Sequence, residues 1–144
     1  MLLTDVKVLV YAHRKDAQNH AAFRKWLEQV LSSDRAYGVS DLVLSGLLRI
    51  VTHPKIFQQP TPLKSALTFA TELRERANCV IVAPGPRHWE IFNRLCSEAS
   101  VKGNLVADAY LAALAIESGS EWITTDADYS RFRGLKWRHP LKTT

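Results

Sequence analysis

The fold is decided by the stretch of residues 103–129, which reads GNLVADAYLAALAIESGSEWITTDADY. Its Ala-rich first half is typical of a helix that begins near Asp108, and its second half is typical of a strand that ends before Asp126 and Asp128. In a doubly wound fold, the carboxyl ends of neighbouring strands and the helix N-termini beside them lie at one edge of the sheet. The stretch therefore predicts an α/β fold in which these acids share one site.

The N-terminal residues supply one more acid in the same kind of position. Leucine and valine dominate the first ten residues, as in a central parallel strand that is covered on both faces, and Asp5 lies near the end of that strand. We therefore expect Asp5 at the same sheet edge as Asp108 and Asp126. The alternative is that Asp5 only caps a short helix that follows it.

Strand and helix patterns alternate along the rest of the chain. Asn19, Ser40 and Thr61, the last followed by Pro62, are residue types that open helices. Gly46 falls in the middle of a predicted helix, where it indicates close helix packing or a close approach of another backbone segment.

The predicted elements specify a fold class. The strands are expected at residues 36–39, 79–82, 122–124 and 135–137, and the second of these is expected to be buried. The helices are expected at residues 20–31, 41–52, 62–77, 87–100 and 104–118, with Trp89, Phe92 and Leu95 on the packing face of the fourth. This alternation predicts a three-layer α/β/α sandwich with a mostly parallel central sheet. We expect one domain over residues 1–141 and a frayed C-terminal end at residues 142–144.

Composition narrows the class of protein. The chain has 144 residues, 47% of them hydrophobic and 23% charged, as in an ordinary globular domain. Its net charge of +5 favours acidic partners, nucleic acid first among them, although many modestly basic proteins have none. No apolar run suits a membrane span or a signal peptide, so we expect a cytoplasmic protein without a membrane partner. Cys79 and Cys96 lack metal-site spacing and are expected to be buried free thiols.

Several enzyme classes lose support because their motifs are missing from the sequence. There is no glycine-rich phosphate loop and no recognisable Ser/His/Asp or Cys/His set, which argues against ATP-driven, dinucleotide-dependent and acyl-transfer enzymes. A phospho-accepting receiver domain would need an acid after its middle strand, and Ala83, Pro84 and Gly85 follow the strand at residues 79–82.

The acids suggest a chemistry. Asp5, Asp108, Asp126 and Asp128, if crowded together, would repel one another unless a cation neutralised them, and Mg²⁺ or Mn²⁺ suits such oxygen ligands best. These ions orient a water and stabilise the charge that develops on a phosphodiester, which in a basic protein indicates a nuclease. Two simpler interpretations stay open: Asp108 as an acid that favours a helix N-terminus, and Asp126 with Asp128 as turn formers.

Four segments of the sequence resemble the PIN-domain ribonucleases, specifically the VapC-type toxins of bacterial toxin–antitoxin pairs. The segments are LTDVKVL from residue 3, RIVTHP from residue 49, GNLVADA from residue 103 and TTDADYSRF from residue 124. The resemblance covers nearly the whole chain and implies a PIN-like fold. It also implies an endoribonuclease that depends on Mg²⁺ or Mn²⁺, cuts cellular RNA, is held inactive by a cognate antitoxin, and forms a homodimer.

The resemblance assigns roles to individual residues. Asp5, Asp108 and Asp126 correspond to catalytic, metal-binding acids of the family, and Asp128 to an auxiliary acid. Basic residues at the rim of the site are expected to hold RNA through its phosphates. The candidates are Arg49 and Arg131 from the family-like segments, together with Arg14, Lys15 and Arg133.

The sequence departs from the family pattern at two places. Lys7 stands where the family usually has Asn, and an ammonium there competes with a metal or points away. The family's second acid falls where this chain has Leu44 and Ser45, and Asp41, one turn earlier, is the available substitute. These departures support an alternative: a PIN-fold protein that binds RNA or an antitoxin with weak or no catalysis.

Overall fold

The computed structural model describes residues 1–142, in which five short strands alternate with six α-helices. The strands are β1 (Leu2–Thr4), β2 (Tyr37–Val39), β3 (Cys79–Ile81), β4 (Glu121–Ile123) and β5 (Trp137–Arg138). The helices are α1 (Val6–His13), α2 (His20–Ser32), α3 (Asp41–Val51), α4 (Leu63–Glu75), α5 (His88–Ala99) and α6 (Asn104–Glu117), and a 3₁₀ helix covers Ala127–Arg131.

The strands form one sheet in the order β3-β2-β1-β4-β5, and each neighbouring pair is parallel. The chain leaves β1 towards β2 on one side, whereas it leaves β4 towards β5 on the other side. The crevice between the carboxyl ends of β1 and β4 is therefore the topological switch point, where open α/β sheets bind ligands. Thr4 pairs with Ile123 in register, so Asp5 and Thr124 emerge side by side at this crevice.

Two helical groups flank the sheet and complete the predicted three-layer arrangement. In the first group α1 packs against α2 and α3, and α3 packs against α4; in the second, α5 packs against α6. The core between the layers contains Leu3, Leu47, Leu114 and Trp122, each at most 1% exposed. The predicted fold class is confirmed.

Gly46 lies where α3 crosses α1. A Cβ atom built on this glycine would stand 3.1 Å from Cγ2 of Val6, closer than most real Cβ contacts. The close packing predicted from a mid-helix glycine is therefore present. The contacted residue, Val6, directly follows Asp5 in the chain.

Some local predictions were wrong. Strand β3 is an exposed edge strand in which Val80 and Ile81 are 42% and 41% exposed, because an apolar run does not reveal which strands will flank it. Trp89 is 68% exposed, although Leu95 on the same helix is buried as expected.

The predicted helix caps also differ from the structure. The side chains of Asn19 and Ser40 make no capping hydrogen bond, and Asn19 adopts a left-handed backbone conformation instead. Pro62 takes the N-cap position of α4, and the hydroxyl of Thr61 hydrogen bonds with His13 and Arg14. Residue type alone predicted where the helices begin but not which donors the side chains would meet.

Within residues 1–142, no helix is both long enough and apolar enough to cross a membrane. The division into one domain over residues 1–141 and an end at residues 142–144 stays a prediction, and residues 143 and 144 lie outside the described part of the chain.

Candidate active site

Asp5 is fixed at the carboxyl end of β1 by two hydrogen bonds. Its Oδ1 accepts from the backbone N–H of Val6 at 2.7 Å, which caps α1, and its Oδ2 accepts from the Thr124 hydroxyl at 2.7 Å. The residue is 8% exposed. Asp5 is therefore a helix cap and a buried acid at the switch point at the same time.

Thr124 joins the ends of the two central strands. Its side chain is fully buried, and its hydroxyl oxygen accepts from the backbone N–H of Asp126 at 3.1 Å while the same hydroxyl donates to Asp5. Asp126 then caps the 3₁₀ helix, with its Oδ1 accepting from the backbone N–H of Asp128 at 2.9 Å. One hydroxyl thus sets the relation between Asp5 and the segment that carries Asp126.

Asp108 reaches the site from the second turn of α6. Its Oδ1 accepts a hydrogen bond of 3.2 Å from the hydroxyl of Tyr129, which lies in the 3₁₀ helix. Tyr129 is 2% exposed, and its ring packs against Trp122 and Phe132. Asp108 is therefore linked to the chain segment that follows β4.

The three acids influence one another electrostatically. Burial raises the pKa of Asp5 above its ordinary value, and the charges of Asp108 and Asp126 raise it further, against the lowering effect of its hydrogen bonds. Burial also raises the pKa of Asp108, as does Asp126, while the Tyr129 hydroxyl lowers it. Burial and the same three carboxylates raise the pKa of Tyr129, so its phenol keeps its proton and donates. The structure brings the three acids into one electrostatic neighbourhood.

These acids do not form a ready-made ligand shell. Within the described residues, no group of three or more His, Cys, Asp or Glu side chains is arranged to hold a metal ion. Asp5, Asp108 and Asp126 each accept a hydrogen bond from a protein donor instead, and their mutual repulsion opposes closer approach. The donor set nevertheless suits a hard divalent cation, because partly buried carboxylates that repel one another are stabilised by such an ion.

Two positive side chains lie close enough to act on Asp108. Arg131 and Lys7 both lower the pKa of Asp108 through their charges. Lys7 is exposed on the first turn of α1, and Arg131 donates to the backbone oxygen of Asp128 at 2.9 Å. The ammonium of Lys7 is thus part of the field around the acids.

The side chains of Asp41 and Asp128 contact arginines and are not linked to the three acids by side-chain hydrogen bonds among the described residues. Both carboxylate oxygens of Asp41 accept from the Arg74 guanidinium, at 2.7 and 3.1 Å, and this ion pair is exposed. The side chain of Asp128 is 69% exposed and lies 3.8 Å from Arg131. Of the two residues at the family's second acid, Leu44 is buried in the core and Ser45 is exposed. The metal-binding roles predicted for Asp41 and Asp128 stay predictions.

Arg14 serves the structure of a loop at the far end of α1. Its guanidinium donates to both carboxylate oxygens of Asp16, to the backbone oxygen of Gln59 and to the hydroxyl of Thr61, and it lies over the ring of Phe57. Arg14, Lys15 and Asp16 are among the residues that line a cavity of about 690 Å³, and this cavity does not include Asp5, Asp108 or Asp126. Arg49, Lys15 and Arg133 are exposed, and the RNA-binding roles expected of these residues and of Arg14 stay predictions.

Two residues that contact the acids, Thr124 and Tyr129, were not predicted from the sequence. Alternation along β4 puts Trp122 and Thr124 on the same face of the sheet, so a polar residue at the end of that buried face was the available signal for Thr124. For Tyr129 the signal was weaker, because an aromatic residue after an Asp-x-Asp turn is expected to pack in the core with or without a hydroxyl partner.

Comparison with known proteins agrees with this architecture. Residues 2–135 match the PIN domain family. The chain is 43% identical over 141 residues to VapC ribonuclease Mb2897 of Mycobacterium bovis, covering 98% of this chain and 96% of that protein. It is 36% identical over 140 residues to Ribonuclease VapC25 of Mycobacterium tuberculosis, covering 97% of this chain and 99% of that protein.

Solved structures share the fold at lower sequence identity. VapBC2 from Rickettsia felis, bound to a DNA fragment from its promoter, matches with a TM-score of 0.69 and 16% identity over 96% of this chain and 97% of that one. The Mycobacterium tuberculosis toxin VapC20, described as cleaving the sarcin-ricin loop, matches with a TM-score of 0.64 and 14% identity over 94% and 99% of the two chains. From its sequence over residues 2–135 and its similarity to these relatives, the chain belongs to the PIN domain family and groups with its VapC-type members.

Proposed function

We propose that this protein is an endoribonuclease that depends on Mg²⁺ or Mn²⁺ and acts as the toxin of a toxin–antitoxin pair. The observation that carries the proposal is the placement of three acids at the switch point of the sheet: Asp5 and the Asp126 segment are joined through Thr124, and Asp108 is joined to the same segment through Tyr129. Relatives named as VapC ribonucleases, up to 43% identical over nearly the whole chain, support the ribonuclease activity.

In the proposed site, Asp5, Asp108 and Asp126 hold the cation, with Asp128 as an auxiliary acid. When bound, Mg²⁺ or Mn²⁺ supplies charge neutralisation and an activated water for hydrolysis of a phosphodiester bond. The hydroxyl of Thr124 keeps the buried carboxylate of Asp5 oriented. Lys7 and Arg131 add positive charge beside the acids, where a phosphate of the RNA binds.

The proposed partners follow from the same relatives. Solved complexes whose chains share this fold include VapBC toxin–antitoxin assemblies, which supports a cognate antitoxin for this chain. An RNA substrate and an antitoxin imply action in the cytoplasm, and we propose a homodimer as the active form. The alternative, an RNA- or antitoxin-binding protein with weak catalysis, is favoured by Lys7 and by the absence of an acid at Leu44 and Ser45.

Cleavage of RNA by the purified protein separates these two functions. We expect cutting in Mg²⁺ or Mn²⁺ and none in excess chelator, with activity restored when the metal is returned. Mn²⁺ should also raise the melting temperature, since a ligand that binds only the folded state stabilises it by about 2.7 kcal/mol at 100 times its Kd. RNA binding without any metal-dependent cutting would favour the alternative.

RNA is expected to bind mainly through its phosphates. The logarithm of the association constant should then fall linearly with the logarithm of salt concentration, with a slope of about −0.7 per phosphate contact for a single strand. Arg131→Ala should make this slope shallower by about 0.7, the value for one phosphate contact. Arg24→Ala removes an equal charge from a surface ion pair on α2 and should leave the slope unchanged. An affinity insensitive to salt would contradict phosphate binding.

Lys7 is expected to weaken metal binding. Replacing Lys7 by Asn removes a cation from the neighbourhood of Asp108, so Mn²⁺ should bind roughly two- to fivefold more tightly, as for an exposed charge interaction of about 0.5–1 kcal/mol. Lys15→Asn removes the same charge beyond the far end of α1 and serves as the control in a calorimetric titration. Equal Mn²⁺ affinities of Lys7→Asn and wild type would mean that the ammonium does not compete with the metal.

A further inference from the structure

Tyr129 is a buried residue whose side chain has one polar atom, the hydroxyl oxygen, and this hydroxyl is directed at Asp108. Its ring centroid lies 5.5 Å from that of Trp122 and 5.8 Å from that of Phe132, so the ring is part of the core beneath β4. Its hydroxyl donates to Oδ1 of Asp108 at 3.2 Å. Within the described residues this is the one side-chain hydrogen bond that the Asp108 carboxylate receives.

The hydrogen bond connects two elements that approach the site from different parts of the chain. Asp108 belongs to α6, whereas Tyr129 belongs to the 3₁₀ helix that Asp126 caps. The bond therefore fixes one oxygen of Asp108 relative to the segment of Asp126 and leaves the other oxygen without a protein donor among the described residues. A carboxylate held in this way can present its second oxygen in one direction.

We propose that Tyr129 is a positioning residue, whose hydroxyl orients the Asp108 carboxylate towards the divalent cation of the nuclease. This inference rests on the proposed function, because it assumes that Asp108 binds the metal. Partners that hold metal ligands in place contribute strongly, and their loss typically costs about 10- to 100-fold in metal affinity or activity.

Tyr37 provides a matched comparison in the same molecule. It is also buried, at 5% exposed, but its hydroxyl donates to the backbone oxygen of Leu73 at 2.6 Å, away from the acids. Tyr129→Phe and Tyr37→Phe each remove one buried hydroxyl and keep the ring. The two variants therefore separate an effect on the site from a general effect on the fold.

The inference is tested by titrating wild type and both variants with Mn²⁺ in a calorimeter and by measuring RNA cleavage at limiting and saturating Mn²⁺. We expect Tyr129→Phe to bind Mn²⁺ about tenfold more weakly or worse. Its kcat should fall at limiting Mn²⁺ and recover at saturating Mn²⁺, with the KM for RNA unchanged. Tyr37→Phe should bind Mn²⁺ as wild type does, whatever its melting temperature in chelator.

Each contrary result has a distinct meaning. If Tyr129→Phe binds Mn²⁺ as tightly as wild type while Asp108→Asn loses binding, the positioning role is wrong and the nuclease proposal stands. If Tyr129→Phe does not fold, or is not rescued by saturating Mn²⁺, the hydroxyl serves the fold and the inference is overturned. If wild type itself binds no Mn²⁺, the nuclease proposal fails and this inference fails with it.

Discussion

Asp108→Asn is expected to abolish RNA cleavage and to leave RNA affinity equal or higher. The amide removes a proposed metal ligand, so the loss should exceed about 100-fold, the upper end of what loss of an outer partner costs. The same change removes one negative charge beside the RNA, which weakens electrostatic repulsion of the phosphates. Cleavage assays in Mn²⁺ and binding assays in chelator measure the two effects separately.

A charge-matched control makes this result specific. Asp34 is exposed and precedes β2, at the sheet edge opposite the acids, so Asp34→Asn changes the net charge equally and should keep wild-type cleavage. If Asp108→Asn cuts RNA at the wild-type rate with Mg²⁺ or Mn²⁺ present, Asp108 is only a helix acid and the proposed mechanism is wrong.

The same variant should be more stable than wild type when no metal is bound. Because burial raises the pKa of Asp108, the folded state binds its proton more readily than the unfolded state. The contribution of Asp108 to the free energy of unfolding therefore falls as pH rises from the ordinary value of 3.8 through the folded value. Solvent screening of this partly exposed group limits the gain in Asp108→Asn to less than about 1 kcal/mol at pH 7. Urea unfolding in chelator should find this gain disappearing on acidification.

Thr124→Val is expected to reduce both stability and cleavage. Valine has nearly the same shape but cannot donate to Asp5 or accept from the backbone N–H of Asp126. A buried carboxylate loses its hydroxyl donor and a backbone N–H loses its acceptor, which together should cost about 2–3 kcal/mol of unfolding free energy. Cleavage should fall at least about tenfold, because Asp5 and the Asp126 segment lose their connection.

Thr124→Ser is the control for this prediction. Serine keeps the hydroxyl and loses only a methyl group, so it should retain most of the activity while losing some packing energy. Urea denaturation gives the stabilities, and cleavage rates at saturating Mn²⁺ give the activities. Equal activity of Thr124→Val and wild type would show that the bridge between β1 and β4 is a structural feature without catalytic consequence.

The sequence was informative wherever function and fold depend on local pattern. Asp5 and Asp126 follow apolar runs, and parallel strands bring such positions to one edge, so their proximity to Asp108 was predictable from alternation alone. The fold class followed from the same pattern, because strands separated by helices form parallel sheets.

The remaining features depend on contacts between distant parts of the chain. Asp41 pairs with Arg74, which is 33 residues away in the sequence, and the residue pattern of α3 does not indicate that partner. The exposure of β3 depends on strand order, and the hydrogen bond of Tyr129 depends on how α6 lies over β4. Each of these is decided by tertiary packing, which residue patterns in one segment do not encode.

Gly46 limits which substitutions α3 can accept next to Asp5, and in which order. A methyl group at position 46 would stand 3.1 Å from Cγ2 of Val6, so a larger side chain at this position requires Val6 to move or to be replaced by a smaller residue. A glutamate at position 46 would lie beside helix α1, which Asp5 caps. Because of the contact with Val6, Gly46→Glu alone should destabilise the fold, whereas Gly46→Glu combined with Val6→Ala should be tolerated. A carboxylate at position 46 therefore depends on a prior change at position 6, which is not itself part of the acidic site.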